Sequence, residues 1–118
     1  MTNINALIND IENRKNSLIE EMEQKVAPIA LSVSTLNLLI RQKYLLVAMQ
    51  NALRDLNGIK QFNDSDEMID RRVEEFCKQL AYKALHHLRV SNVDGELAQE
   101  LRAEAQVLDI AARHGYTF

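Results

Sequence analysis

The chain has 118 residues, 14 basic against 17 acidic side chains for a formal net charge of −3, three Gly, one Pro and no Trp. A single domain of this size buries roughly two-thirds of its unfolded surface and folds without metal or disulfide staples. So few turn residues exclude a hairpin-rich β fold, and the even mixture of charges excludes a general polyanion binder, which carries a basic excess.

From Asn3 to about Lys25, apolar residues fall at Ile4, Leu7, Ile8, Ile11, Leu18, Ile19, Met22 and Val26. Steps of three and four predict one stripe of an amphipathic helix, with Lys15 interrupting it. Asp10, Glu12, Asn13, Glu20, Glu23 and Gln24 form the solvated side.

Pro28 then predicts a break, because inside a helix it removes a backbone donor and clashes with the preceding turn. Met22, Val26, Ile29, Val33, Leu36 and Ile40 nevertheless stay in phase across it, as one long kinked helix would require. The break is preferred because helices much beyond 40 residues are uncommon, and Ser34 suits the cap of a new helix starting at Thr35.

The stretch Val26 to Gly58 is the most apolar of the chain. From Leu36 to Leu56 apolar residues cover nearly the whole helical circumference, which predicts a helix enclosed on all sides. Arg41, Gln42 and Lys43 interrupt the uncharged run too early for a membrane span, which wants about 20 apolar residues. Asn57 and Gly58 predict the helix end, with Ile59 folding back toward Leu53.

Asp64 and Glu67 have the spacing of a capping box for a third helix. Ile69, Val73, Phe76, Leu80, Ala84 and Leu88 form its apolar stripe, widened by Cys77, Ala81 and Leu85. Glu74 and Lys78 are spaced for an ion pair on its polar side. Ser91 to Asp94 reads as a turn whose Asp94 caps a last helix with Leu97, Leu101, Ala105, Leu108 and Ala112 inward. Arg113 and Gly115 suit its end. Tyr116 and Phe118 place two aromatics at the tail, suited to packing on this subunit or a partner.

No pattern specifies catalysis. There is no GxSxG, glycine-rich phosphate loop or HExxH. His86 and His87 are adjacent and so point about 100° apart on a helix, unable to chelate as an i, i+4 pair would. Asp64, Asp66, Glu67 and Asp70 are explained by capping and first-turn charge. Cys77, the only cysteine, sits by the inner stripe and reads as a buried structural thiol in a reducing, cytoplasmic compartment. No cofactor or metal is expected.

The expectation is an all-α, antiparallel helical bundle of four helices, or of three if the first runs kinked through Pro28. It is read as one domain over 1–118: an amphipathic arm at 1–25, a central helix at 26–58, and packing helices at 64–91 and 95–114. A homodimer is expected, with a non-enzymatic function exercised by binding protein, as an oligomeric adaptor, chaperone-like partner or inhibitor of a larger machine. The apolar helical surfaces expected to meet a partner are Ile4, Ile8, Ile11, Leu18, Met22, Tyr116 and Phe118, since grooves capture helices through anchors three and four residues apart. The alternative is a small dimeric DNA-binding regulator using Arg71, Arg72 and Lys78, or Arg41 and Lys43.

Overall fold

The computed structural model describes residues 3–26, 33–62, 64–90 and 95–116. Four helices account for nearly all of them: α1 (Ile4–Val26), α2 (Val33–Lys60), α3 (Asp66–Val90) and α4 (Gly95–Arg113). There is no strand among the described residues. Cross-contacts give the directions. Gln42 of α2 donates from its side-chain nitrogen to Glu21 Oε2 of α1 at 3.3 Å, while Asp10 shares a cavity wall with Met49. Those pairs run in opposite senses, so α1 and α2 are antiparallel. Lys83 meets Glu100, and the Tyr116 hydroxyl beyond α4 donates to Asp70 at 2.8 Å, which makes α3 and α4 antiparallel as well. The chain therefore reverses between Val26 and Val33 as two separate helices. Pro28, the predicted cause, and the 91–94 turn with Asp94 lie outside the described residues.

The core is gathered at one end. Its buried members are Ile4, Leu7, Ile8, Ile11 and Leu18 from α1, Leu45 to Leu56 from α2, Ile69, Val73 and Cys77 from α3, and Leu101 to Ala111 from α4. In an antiparallel bundle the first half of α1, the last half of α2, the first half of α3 and the last half of α4 lie together. The other end carries exposed apolar side chains instead, among them Val33, Leu36, Leu38, Tyr82 and Leu85. The molecule is also flat, at 52 × 35 × 20 Å. Its radius of gyration of 16.0 Å exceeds the roughly 13–14 Å of a compact chain of this length.

Several local expectations are corrected. α2 begins at Val33, so Ser34 lies inside the helix and does not cap it. It also runs through Asn57 and Gly58 to Lys60, with no left-handed residue there. Packing of Leu56 and Ile59 on the core outweighs the roughly 1 kcal/mol that a helical Gly costs. The cap of α3 is Ser65, whose Oγ accepts from the Met68 N–H at 3.4 Å. Asp64 is left to Arg72 at 3.0 Å, and the i, i+4 pair that forms on α3 is Glu67–Arg71, not Glu74–Lys78.

On α4 the inner face passes through Leu101, Glu104, Val107, Leu108, Ile110 and Ala111, leaving Ala105 and Ala112 exposed. Repeated steps of four drift about 40° each around a helix, and the larger Val107 and Ile110 decide which side turns inward.

The stop at Gly115 holds. Its φ is +85°, the Tyr116 N–H bonds the Ala111 carbonyl at 3.2 Å and the Gly115 N–H bonds that of Ala112 at 3.0 Å. This is the paired pattern of a Schellman end, and it turns Tyr116 back into the core.

The two helix-end glycines should thus respond with opposite signs. Gly58→Ala adds a methyl in open space to a helical residue and should stabilise by about 0.5–1 kcal/mol. Gly115→Ala forces a left-handed alanine and should destabilise by about 1–2 kcal/mol. Urea unfolding of both variants measures the contrast.

Candidate functional site

α2 is the one helix with two apolar faces. Counting about 100° per residue, Leu45, Met49, Leu53 and Leu56 share one side, and Val33, Leu36, Ile40 and Val47 the opposite one, with mean directions roughly 170° apart. The first set is buried. The second is 77%, 49%, 38% and 44% exposed in order. The enclosed helix predicted between Leu36 and Leu56 is therefore enclosed on one side only. α1 and α4 take its inner face, α3 meets its C-terminal end, and a bundle 20 Å thick has no layer left to cover the outside. Lys43 falls in line with this outer stripe, between Ile40 and Val47, and Arg41 stands about 110° from it, on the side of the cleft. Arg41 borders α1 and α4 in one cavity, and Lys43 borders Glu100 and Glu104 in another. Between Val33 and Arg54, α2 carries no acidic residue.

A second feature lies between α1, α2 and α4. It is a cleft of about 440 Å³ with Leu18, Leu38, Leu45 and Ala103 as apolar lining and Arg14, Arg41, Arg102, Glu21, Gln42, Gln99 and Gln106 as its polar part. Gln42 is 7% exposed. The Oε1 atoms of Gln42 and Gln99 are buried and accept no hydrogen bond. A buried acceptor without a donor costs about 1–3 kcal/mol, so two in the walls of one cleft are a concentrated penalty.

The residues expected to meet a partner are placed as follows. Ile4, Ile8, Ile11, Leu18 and Tyr116 are buried in this chain's own core, and Met22 is half-buried against it. Phe118 lies outside the described residues. Three contacts close the same end. His114 Nε2 lies 2.9 Å from Asp10 Oδ2, the Asn3 side-chain amide donates to the His114 carbonyl at 2.8 Å, and Tyr116 holds Asp70.

The cationic groups of the nucleic-acid alternative are dispersed or paired. Arg71 bonds Glu67 at 2.9 Å, and Arg72 bonds Asp64 while stacking 4.4 Å over the Phe62 ring. The acidic cluster is similarly divided among partners: Asp64 to Arg72, Glu67 to Arg71, Asp70 to Tyr116. Among the described residues no group of three or more His, Cys, Asp or Glu is placed to hold a metal, and no helix is long and apolar enough to cross a membrane. His86 is exposed, and the side chain of His87 lies outside the described residues.

Two buried features escaped sequence reasoning. Glu104 is nearly buried on α4 and accepts from Lys83 Nζ at 2.8 Å, with Glu100 at 3.1 Å. The Glu104 bond raises the Lys83 pKa above its ordinary value, more than burial lowers it. The cleft itself joins positions from 14 to 106, and no local spacing announces such a set. No family model matches the chain, and no curated protein or solved structure matches it.

Cys77 is fully buried, and burial, with Glu74 adding to it, pushes its thiol from 9.0 up to about 11. A raised folded-state pKa means the contribution to stability is complete below 9.0 and is lost as pH rises from there through about 11. Lys83 begins to matter only above 10.5, its own ordinary value. Stability measured between pH 9.0 and 10.5 should therefore fall more steeply in the parent chain than in Cys77→Ala, with urea unfolding as the readout.

Proposed function

We propose that this chain is a non-enzymatic protein-binding module, an adaptor, chaperone-like partner or inhibitor, which docks a partner along the outer face of α2. The observation that carries the proposal is the exposed stripe of Val33, Leu36, Ile40 and Val47. Val33, Leu36 and Ile40 have the three-and-four spacing of a helix seam, Lys43 takes the next position and Val47 resumes it, and an apolar row of this kind on the surface of a small domain marks an interaction site.

The occupant whose chemistry fits is an amphipathic helix with acidic flanks. Lys43 lies within the stripe and Arg41 to one side of it, α2 carries no acid before Asp55, and the nearest acids are Glu100 and Glu104 of α4, across a cavity from Lys43. A second copy offers the same apolar row, but laying α2 against α2 brings cations toward cations. The N-terminal stripe is not available to hold a second copy, because Ile4, Ile8, Ile11 and Leu18 are core.

The test uses the full chain, Leu36→Glu at a position 49% exposed, and two synthetic amphipathic helices with one apolar face and either acidic or basic flanks. The acidic peptide should bind and gain helicity, the basic one should not, and Leu36→Glu should lose binding while melting as the parent does. Sedimentation of the parent and Leu36→Glu shows whether a second copy occupies the stripe instead. A monomer that takes neither peptide, with Leu36→Glu behaving as the parent, contradicts the proposal.

A further inference from the structure

The cleft between α1, α2 and α4 opens on the inner side of α2, away from the outer stripe; Arg41 stands near both, but small-molecule binding in the cleft is tested separately from helix docking. Three of its lining residues are Arg14, Arg41 and Arg102, against the single acid Glu21, in a chain whose net charge is negative. Arg14 shares Glu21 at the long distance of 4.0 Å, and neither Arg41 nor Arg102 has an acidic partner among the described residues. Unpaired surface arginines are common by themselves. Here they border a concave space with a leucine lining, and among the described residues two of the three buried side-chain oxygens without a donor, those of Gln42 and Gln99, belong to its walls. The cleft thus offers cations to an anion and leucines to an apolar body, and its walls hold two unmet amide oxygens that a side-chain rotation would turn toward a donor. Its volume of about 440 Å³ falls within the range of small-molecule sites.

We infer that this cleft binds a small apolar carboxylic acid bearing a hydrogen-bond donor next to the carboxylate, the chemistry shared by aliphatic α-amino and α-hydroxy acids. The carboxylate pairs with Arg41 and Arg102, whose guanidinium forks suit it. An ammonium donates to both the Gln42 and Gln99 amide oxygens, and a hydroxyl to one of them, once those side chains rotate toward the ligand. The alkyl group covers Leu38 and Leu45. A ligand of this class satisfies acceptors that the empty cleft leaves unmet.

The experiment titrates the full chain with L-leucine, its hydroxy analogue leucic acid, isocaproate, which lacks the donor, and leucinamide, which lacks the carboxylate. Calorimetry or amide chemical shifts provide the readout, and the same titrations are run on Arg41→Gln, Arg102→Gln and Gln42→Leu. Saturable one-site binding is expected for leucine, leucic acid or both, and the difference between those two identifies the amino or hydroxy source. Isocaproate and leucinamide should bind at least about tenfold more weakly, and each arginine variant should lose at least about tenfold for the acids. Arg41 and Arg102 are exposed, so those variants should melt as the parent does, and they keep the test readable if Gln42→Leu fails to fold. Absence of binding by both leucine and leucic acid overturns the inference. So does isocaproate binding as well as leucine, or affinity unchanged in both arginine variants.

Discussion

Burial of the α1 stripe governs the rest of the structure. Ile4, Leu7, Ile8 and Ile11 are nearly inaccessible, and together with Met49, Leu56, Val73 and Val107 they make one cluster drawn from all four helices. A fully buried aliphatic side chain contributes about 1.5–3 kcal/mol, which no exposed ion pair here approaches. The polar contacts around this cluster fix its geometry more than its strength. Asn3 and Asp10 meet His114, and Tyr116 meets Asp70, so the start of α1 and the residues just after α4 are tied together and to α3.

A core collected at one end has a cost at the other. Beyond Leu45, toward its N-terminus, α2 has apolar residues on both sides but neighbours on one, and Val33, Leu36 and Ile40 face outward. Leu38 turns into the cleft, which opens where the tight packing gives out. The two candidate surfaces thus have one origin. An apolar helix longer than the core that receives it leaves a stripe on its outside and an incompletely filled space beneath it. The stripe suits a helix, which matches its length and periodicity. The cleft suits a small molecule, whose size it fits.

Much of this build is legible in the sequence. Three-and-four spacing locates α1 and its buried face, Gly115 marks the end of α4, and the Phe76–Cys77 pair lies on the inner side of α3 as its phase implies. What sequence periodicity does not contain is which side of a helix finds a neighbour. The apolar circumference of α2 is equally compatible with enclosure and with a bare outer face, and packing of four helices into a flat body decides for the latter. The same limit explains the N-terminal stripe: Ile4, Ile8 and Ile11 have the periodicity of a partner-binding helix and are spent on the core. Small residues misdirect in another way. Ala105 and Ala112 carry too little surface to set a helix's phase, so α4 turns to bury Val107 and Ile110. Long-range polar partners such as Lys83 and Glu104, or Asp10 and His114, join separate helices and leave no local signal.

The account rests on α2 burying one face and presenting the other. The most direct measurement is thiol labelling of dilute full-length chain carrying either Ile40→Cys or Met49→Cys, with Cys77 as the internal standard of a buried thiol. The two-faced helix predicts that the thiol at position 40 reacts at the rate of an exposed cysteine, while those at 49 and 77 react only as the protein unfolds. Equal protection at 40 and 49 would contradict it, since α2 would then be enclosed on both sides and have no free face to offer.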